Sequence, residues 1–239
     1  VIHTADEAGT SEGPDYQFGW GLMNTAKATQ VISNQQQNQL VTGVLMQGAV
    51  RTYTVYTDGS QPLKATIAWN DPARTATPYV LNGSTKALVN DLDIRIVRQS
   101  DSVATLPWTL AGMSNPGAGA TRADNDRDNV EQVLLNNPAP GFYEVRVSHK
   151  GSLTGNQQTF GLVISGRSQQ QVMRQVTFRV DMTGTTVSPL GVHIAGSFQG
   201  WNPAGTPMTN TAGNIWEYTA SLPEGDTVQY KFVNGNAWG

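Results

Sequence analysis

Leu63-Lys64-Ala65-Thr66-Ile67-Ala68-Trp69 carries the reading of the fold, because Leu63, Ala65, Ile67 and Trp69 fall on one side of an extended chain. Period-two burial of this kind marks a half-buried β-strand. The same rhythm continues through Arg51-Thr52-Tyr53-Thr54-Val55-Tyr56, Asp93-Ile94-Arg95-Ile96-Val97, Val130-Glu131-Gln132-Val133-Leu134-Leu135 and Phe142-Tyr143-Glu144-Val145-Arg146-Val147, and residues 160–164 close the series. Asn70-Asp71-Pro72, Asn137-Pro138 and Pro140-Gly141 separate the runs with turn residues. Short strands with no helix between them predict an antiparallel β-sandwich.

The totals agree with that reading. Among 239 residues there are 25 Gly and 12 Pro and only 14% charged side chains, a turn-rich composition that disfavours helical bundles. Fifteen Lys and Arg within a net charge of −3 leave no basic footprint for nucleic acid. The absence of cysteine excludes disulfides, thiolate metal sites and cysteine nucleophiles. No apolar run approaches the length of a membrane span.

Two glutamine-rich stretches, residues 34–39 and 168–171, cannot bury much apolar surface and read as connectors. They divide the chain into a tail (1–33), a middle block (40–167) and a final block (176–239), with 34–39 and 168–175 as linkers. In the tail, Leu22, Ala26 and Ile32 share one face of a short helix and Asn24 is its N-cap candidate. In the final block, residues 176–180, 191–196, 216–220 and 228–233 read as four strands of a second sandwich. The fold class is mainly β, with one short helical segment.

Asp15-Tyr16-Gln17-Phe18-Gly19-Trp20-Gly21-Leu22-Met23-Asn24-Thr25-Ala26, with Ile2-His3-Thr4-Ala5 before it, resembles the end of the catalytic domain of subtilisin-like serine proteases. Ala68-Trp69-Asn70-Asp71-Pro72, Leu88-Val89-Asn90-Asp91-Leu92-Asp93-Ile94, Asp128-Asn129-Val130-Glu131-Gln132-Val133 and Pro140-Gly141-Phe142-Tyr143 resemble the jelly-roll β-sandwich that follows that domain in some bacterial members. The resemblance implies a secreted or cell-surface, non-catalytic C-terminal fragment, with the missing catalytic domain as its partner in cis. No catalytic residue is expected in this chain. Gly9-Thr10-Ser11 copies the start of the family's nucleophile motif, but Glu12-Gly13-Pro14-Asp15 follows where small apolar residues should begin a helix. His3, His149 and His193 lie outside the family's histidine context, so the base that an attacking serine needs is missing.

Ala195-Gly196-Ser197-Phe198-Gln199-Gly200-Trp201-Asn202-Pro203 and Tyr230-Lys231-Phe232-Val233-Asn234-Gly235-Asn236-Ala237-Trp238 resemble starch- and glycogen-binding immunoglobulin-like modules, here incomplete. Exposed aromatic rings stack on flat sugar faces while polar side chains fix orientation. The resemblance implies that Trp201, Lys231 and Trp238 hold a glucan polymer. The alternative function is therefore an α-glucan-binding accessory module of an exported protein. In the blander reading Trp201 caps the core and Lys231 solvates an edge strand.

One loop could carry a metal. Asp124, Asp126, Asp128 and Glu131 repel one another within eight residues unless a cation sits among them, and Asp91 and Asp93 share a strand face by parity. Calcium takes six to eight oxygens from such sets. The protease sandwich resembled here also binds calcium at such loops. Calcium clamping Asp91, Asp93, Asp124, Asp126, Asp128 and Glu131 is the expectation; a solvated acidic turn is its alternative.

Overall fold

The computed structural model describes every residue except Thr77, Tyr79, Asn82, Ser84 and Gly239. It is mainly β, as the alternation predicts, with one short α-helix. The chain forms two compact units, Val1–Gln170 and Gln171–Gly239.

In the first unit, a 3-10 turn (Ile2–Thr4) and helix α1 (Thr25–Ser33) precede ten strands. They are β1 (Asn38–Met46), β2 (Arg51–Thr57), β3 (Leu63–Trp69), β4 (Asp91–Arg98), β5 (Ala104–Thr105), β6 (Trp108–Thr109), β7 (Thr121–Arg122), β8 (Val130–Leu135), β9 (Gly141–Lys150) and β10 (Gln157–Ser165). Two four-stranded antiparallel sheets, β1-β10-β3-β8 and β2-β9-β4-β5, enclose the core, and β6 and β7 form a small ribbon. Register explains the burial. Leu63, Ala65, Ile67 and Trp69 point inward beside Leu162 and Ile164, while Lys64, Thr66 and Ala68 line the outer face.

Strand β1 departs from the sequence reading, which ends a linker at residue 39. The strand begins at Asn38 and pairs with β10 along its whole length. Gly43 conceals it: glycine weakens a strand signal, yet a Cβ here would lie 2.5 Å from the Phe160 ring that fills its place. Helix α1 departs in a second way. Asn24 caps it by accepting from Lys27 N at 2.8 Å. However, no residue of α1 is buried, and Leu22 and Ile32 stay exposed. Polar links hold it instead, with Asp6 accepting from Asn24 and pairing with Lys27.

The second unit holds β11 (Met173–Asp181), β12 (Val192–Gly196), β13 (Thr209–Ala212), β14 (Ile215–Pro223) and β15 (Tyr230–Asn234). Sheets β11-β14-β13 and β12-β15 pack around Phe178, Met182, Val192, Ile194, Met208 and Leu222.

Candidate functional site: a tryptophan pair and an ion-paired acid cluster

The tryptophan pair is built by a loop that leaves β12. Gly200 and then Trp201 adopt positive φ, +73° and +60°. For tryptophan the left-handed region costs roughly 1 kcal/mol, because its Cβ crowds the backbone. The surroundings enforce it. Trp201 N donates to Gly196 O at 2.9 Å, Asn202 N donates to Gln199 Oε1 at 2.6 Å, and Gln199 Nε2 donates to Thr206 Oγ1 at 3.0 Å. The indole is left 37% exposed beside Trp238, which is 49% exposed, with ring centroids 6.5 Å apart and planes tilted by 43°. Lys231 is exposed on β15, across from Ala195. Asn202 and Asn234 are exposed, and their side chains bond within the chain, to Ala204 N and to the 186–188 loop respectively.

Three of the six acidic side chains come together, on different terms from those expected. Asp91 and Asp93 share the outer face of β4 and Asp124 approaches from the loop. The cations among them belong to the protein. Lys150 Nζ lies 2.8 Å from Asp93 and 2.7 Å from Asp124, and Arg95 contacts both. Lys86 pairs with Asp91. Asp126 and Asp128 turn away, to Arg127 and to Asn125 Nδ2 respectively. Among the described residues no group of three or more His, Cys, Asp or Glu is arranged to hold a metal ion. The six-residue calcium set is therefore not assembled, because lysine and arginine from β9 and β4 occupy the space between the carboxylates. Sequence distance hid Lys150, which is 26 residues from Asp124 and 57 from Asp93.

Glu131 stands apart. Its partner across β3 is Ile67, so it points into the apolar interior, fully buried. There Oε2 accepts from Ile94 N at 2.8 Å, at a point where β5 does not cover the edge of β4. Burial pushes its carboxyl up to about 8, and the nearby Asp93 charge adds to this. Glu131 is thus mostly protonated at pH 7. Three carboxylates then face three cations, Lys86, Arg95 and Lys150, and the cluster is close to neutral. Burial also pushes Asp93 above the usual carboxylate range, although Lys150 and Arg95 oppose it.

The residues that carried the protease resemblance form an interior hydrogen-bond network. Trp69 Nε1 donates to Asn90 O (3.0 Å) and Asn129 Nδ2 to Trp69 O (2.7 Å). Asp71 accepts from Val89 N and Asn90 N, and Asn90 Nδ2 donates to Gln158 Oε1 at 2.7 Å. These side chains close the corners of the sandwich. His3 sits between Thr66 Oγ1 (2.8 Å) and Ser165 Oγ (2.9 Å), with no carboxylate bonded to the ring among the described residues, while Ser11 is exposed.

No family model matches the chain. It is 38% identical to an alpha-amylase of Niallia circulans over 87 residues, which is 36% of this chain and 6% of that protein. It is also 38% identical to an amylopullulanase of Thermoanaerobacter thermohydrosulfuricus over 64 residues, 26% of this chain and 4% of that protein. Neither relative is a protease. The chain spans only a small part of each relative's length. These likenesses overturn the expectation of a subtilisin-like protease fragment. That expectation rested on the 2–5 and 15–26 tail segments, on turn residues and on the corner network just described, whose side chains serve packing in a sandwich. No described helix is long and apolar enough to cross a membrane.

Proposed function

We propose that this chain is a non-catalytic accessory region of a larger exported amylolytic enzyme, and that its second unit binds an α-glucan. The observation that carries the reading is the Trp201–Trp238 pair, with Trp201 held in a left-handed conformation. Strain at an exposed aromatic residue is retained where the surroundings over-determine it, and a binding platform gives it a use. Two rings at 6.5 Å with a 43° tilt offer successive apolar faces to a bent chain of sugars rather than one flat surface. Lys231, exposed on β15, is the candidate cation to orient sugar hydroxyl groups. The likeness to an alpha-amylase and an amylopullulanase supports a glucan as the polymer and a catalytic body in the same polypeptide as the partner.

Affinity electrophoresis in gels containing amylose or glycogen tests the reading. The chain is expected to be retarded, and Trp201→Gly to lose about tenfold in affinity, on the order of 1.4 kcal/mol. Glycine accepts positive φ freely, so this variant costs the fold little and separates lost binding from lost structure. A chain that runs unretarded at every glucan concentration would sink the proposal and leave the unit a spacer.

A further inference from the structure

We propose that the 3-10 turn Ile2–Thr4 is a proton-released latch: uptake of a proton by His3 lifts the turn off the β1-β10-β3-β8 sheet and opens a groove across its outer face. His3 is buried between two strands, with Nδ1 on Thr66 Oγ1 of β3 and Nε2 on Ser165 Oγ of β10. Lys64 Nζ donates to His3 O at 3.1 Å. A cavity lies on either side of the ring. One, of about 480 Å³, is apolar and runs along Leu40, Ala68, Val130 and Val163. The other, of about 560 Å³, is lined by Gln30, Asn34, Gln61, Lys64 and Asn136. His3 lines both, so its departure joins them.

The groups packed against the ring decide the sign. Lys64 from β3 is positive, and Lys27 from α1 is already paired with Asp6. Facing the ring, β10 contributes the neutral Ser165, and β8 contributes the neutral Gln132, which donates to Thr66 Oγ1 at 3.2 Å. Asp6 and Glu7 are the acids next in the chain, and neither bonds the imidazole. Burial first, then Lys64, lower the His3 pKa to about 3 in the closed state. A released histidine titrates near 6.5. Closure is therefore fully favoured above pH 6.5 and weakens progressively as pH falls from there toward 3. The rest of the segment is held by Asp6, which pairs with Leu22 through the backbone and with Asn24 and Lys27 through its side chain, by Glu12 on Asn136 and by Gly13 against Trp108.

Hydrogen exchange of the intact chain, corrected for intrinsic rates, reads the opening of residues 2–5, whose Thr4 and Ala5 amides the turn protects. Their opening equilibrium is expected to rise about tenfold from pH 7 to 5.5 and about a hundredfold to 4.5. Protection in β3 and β9 should hold over the same range. His3→Gln keeps a neutral hydrogen-bonding side chain and should abolish the response, whereas His149→Gln and His193→Gln should preserve it. The His3 ring titration, followed by NMR in the unaltered chain, needs no variant. A midpoint near 6.5, a change of less than threefold at pH 4.5, or a response that survives in His3→Gln would overturn the latch.

Discussion

Asn90→Ala is expected to destabilise the first unit by about 3–5 kcal/mol, the largest effect of any single truncation in the network around Trp69. Asn90 is fully buried and uses every polar group it has. Its backbone donates to Asp71 and accepts from Trp69, while its amide donates to Gln158 and accepts from Thr154 N at 2.7 Å. Truncation leaves Gln158 Oε1 and Thr154 N without these partners, at about 1–3 kcal/mol each, and adds a small cavity. Trp69→Phe removes one donor and should cost less than half as much. Denaturant unfolding followed by tryptophan fluorescence and circular dichroism measures both. A loss below 1 kcal/mol in Asn90→Ala would show that water replaces the amide, and that the corner is held by something else.

Lys150→Met is expected to cost about 2–4 kcal/mol at pH 7, discounted from a fully buried pair because the lysine is over a third exposed. It strands Asp93 and Asp124 with Arg95 alone. The cost should shrink as pH falls toward 4. Asp93, already pushed up by burial, then takes a proton, and its charge no longer needs a partner. The variant also tests the expectation of calcium. With the ammonium gone, carboxylates that surround protein cations become free to converge on a metal, so millimolar calcium should raise the melting temperature of the variant more than that of the parent chain. Equal response, or an unaltered melting temperature in Lys150→Met without calcium, would contradict the account of an internally neutralised cluster.

The candidate sites were legible to different depths. Trp201, Lys231 and Trp238 were legible through the resemblance of the last block to starch- and glycogen-binding modules. Their positions in the chain say nothing of the 6.5 Å spacing or of the left-handed backbone at Trp201. The acidic run was legible as a charge problem and illegible as a solution. Repulsion among Asp124, Asp126 and Asp128 is evident from spacing, but the cations that answer it arrive from other strands. His3 carried no local signal at all. Its two hydroxyl partners, Thr66 and Ser165, are 63 and 162 residues away.

The mainly β class, most strand positions and the N-cap at Asn24 follow from the sequence by itself, since alternation and capping depend on residues within a few positions of one another. Tertiary structure alone decided that Glu131 enters the core to serve the edge of β4, that Lys150 and Arg95 stand where a metal was expected, and that a strand runs through Gly43. Charge neutralisation and strand pairing join residues far apart in the chain. Their outcome is set by which side chains the register brings face to face, and a linear pattern does not contain that register.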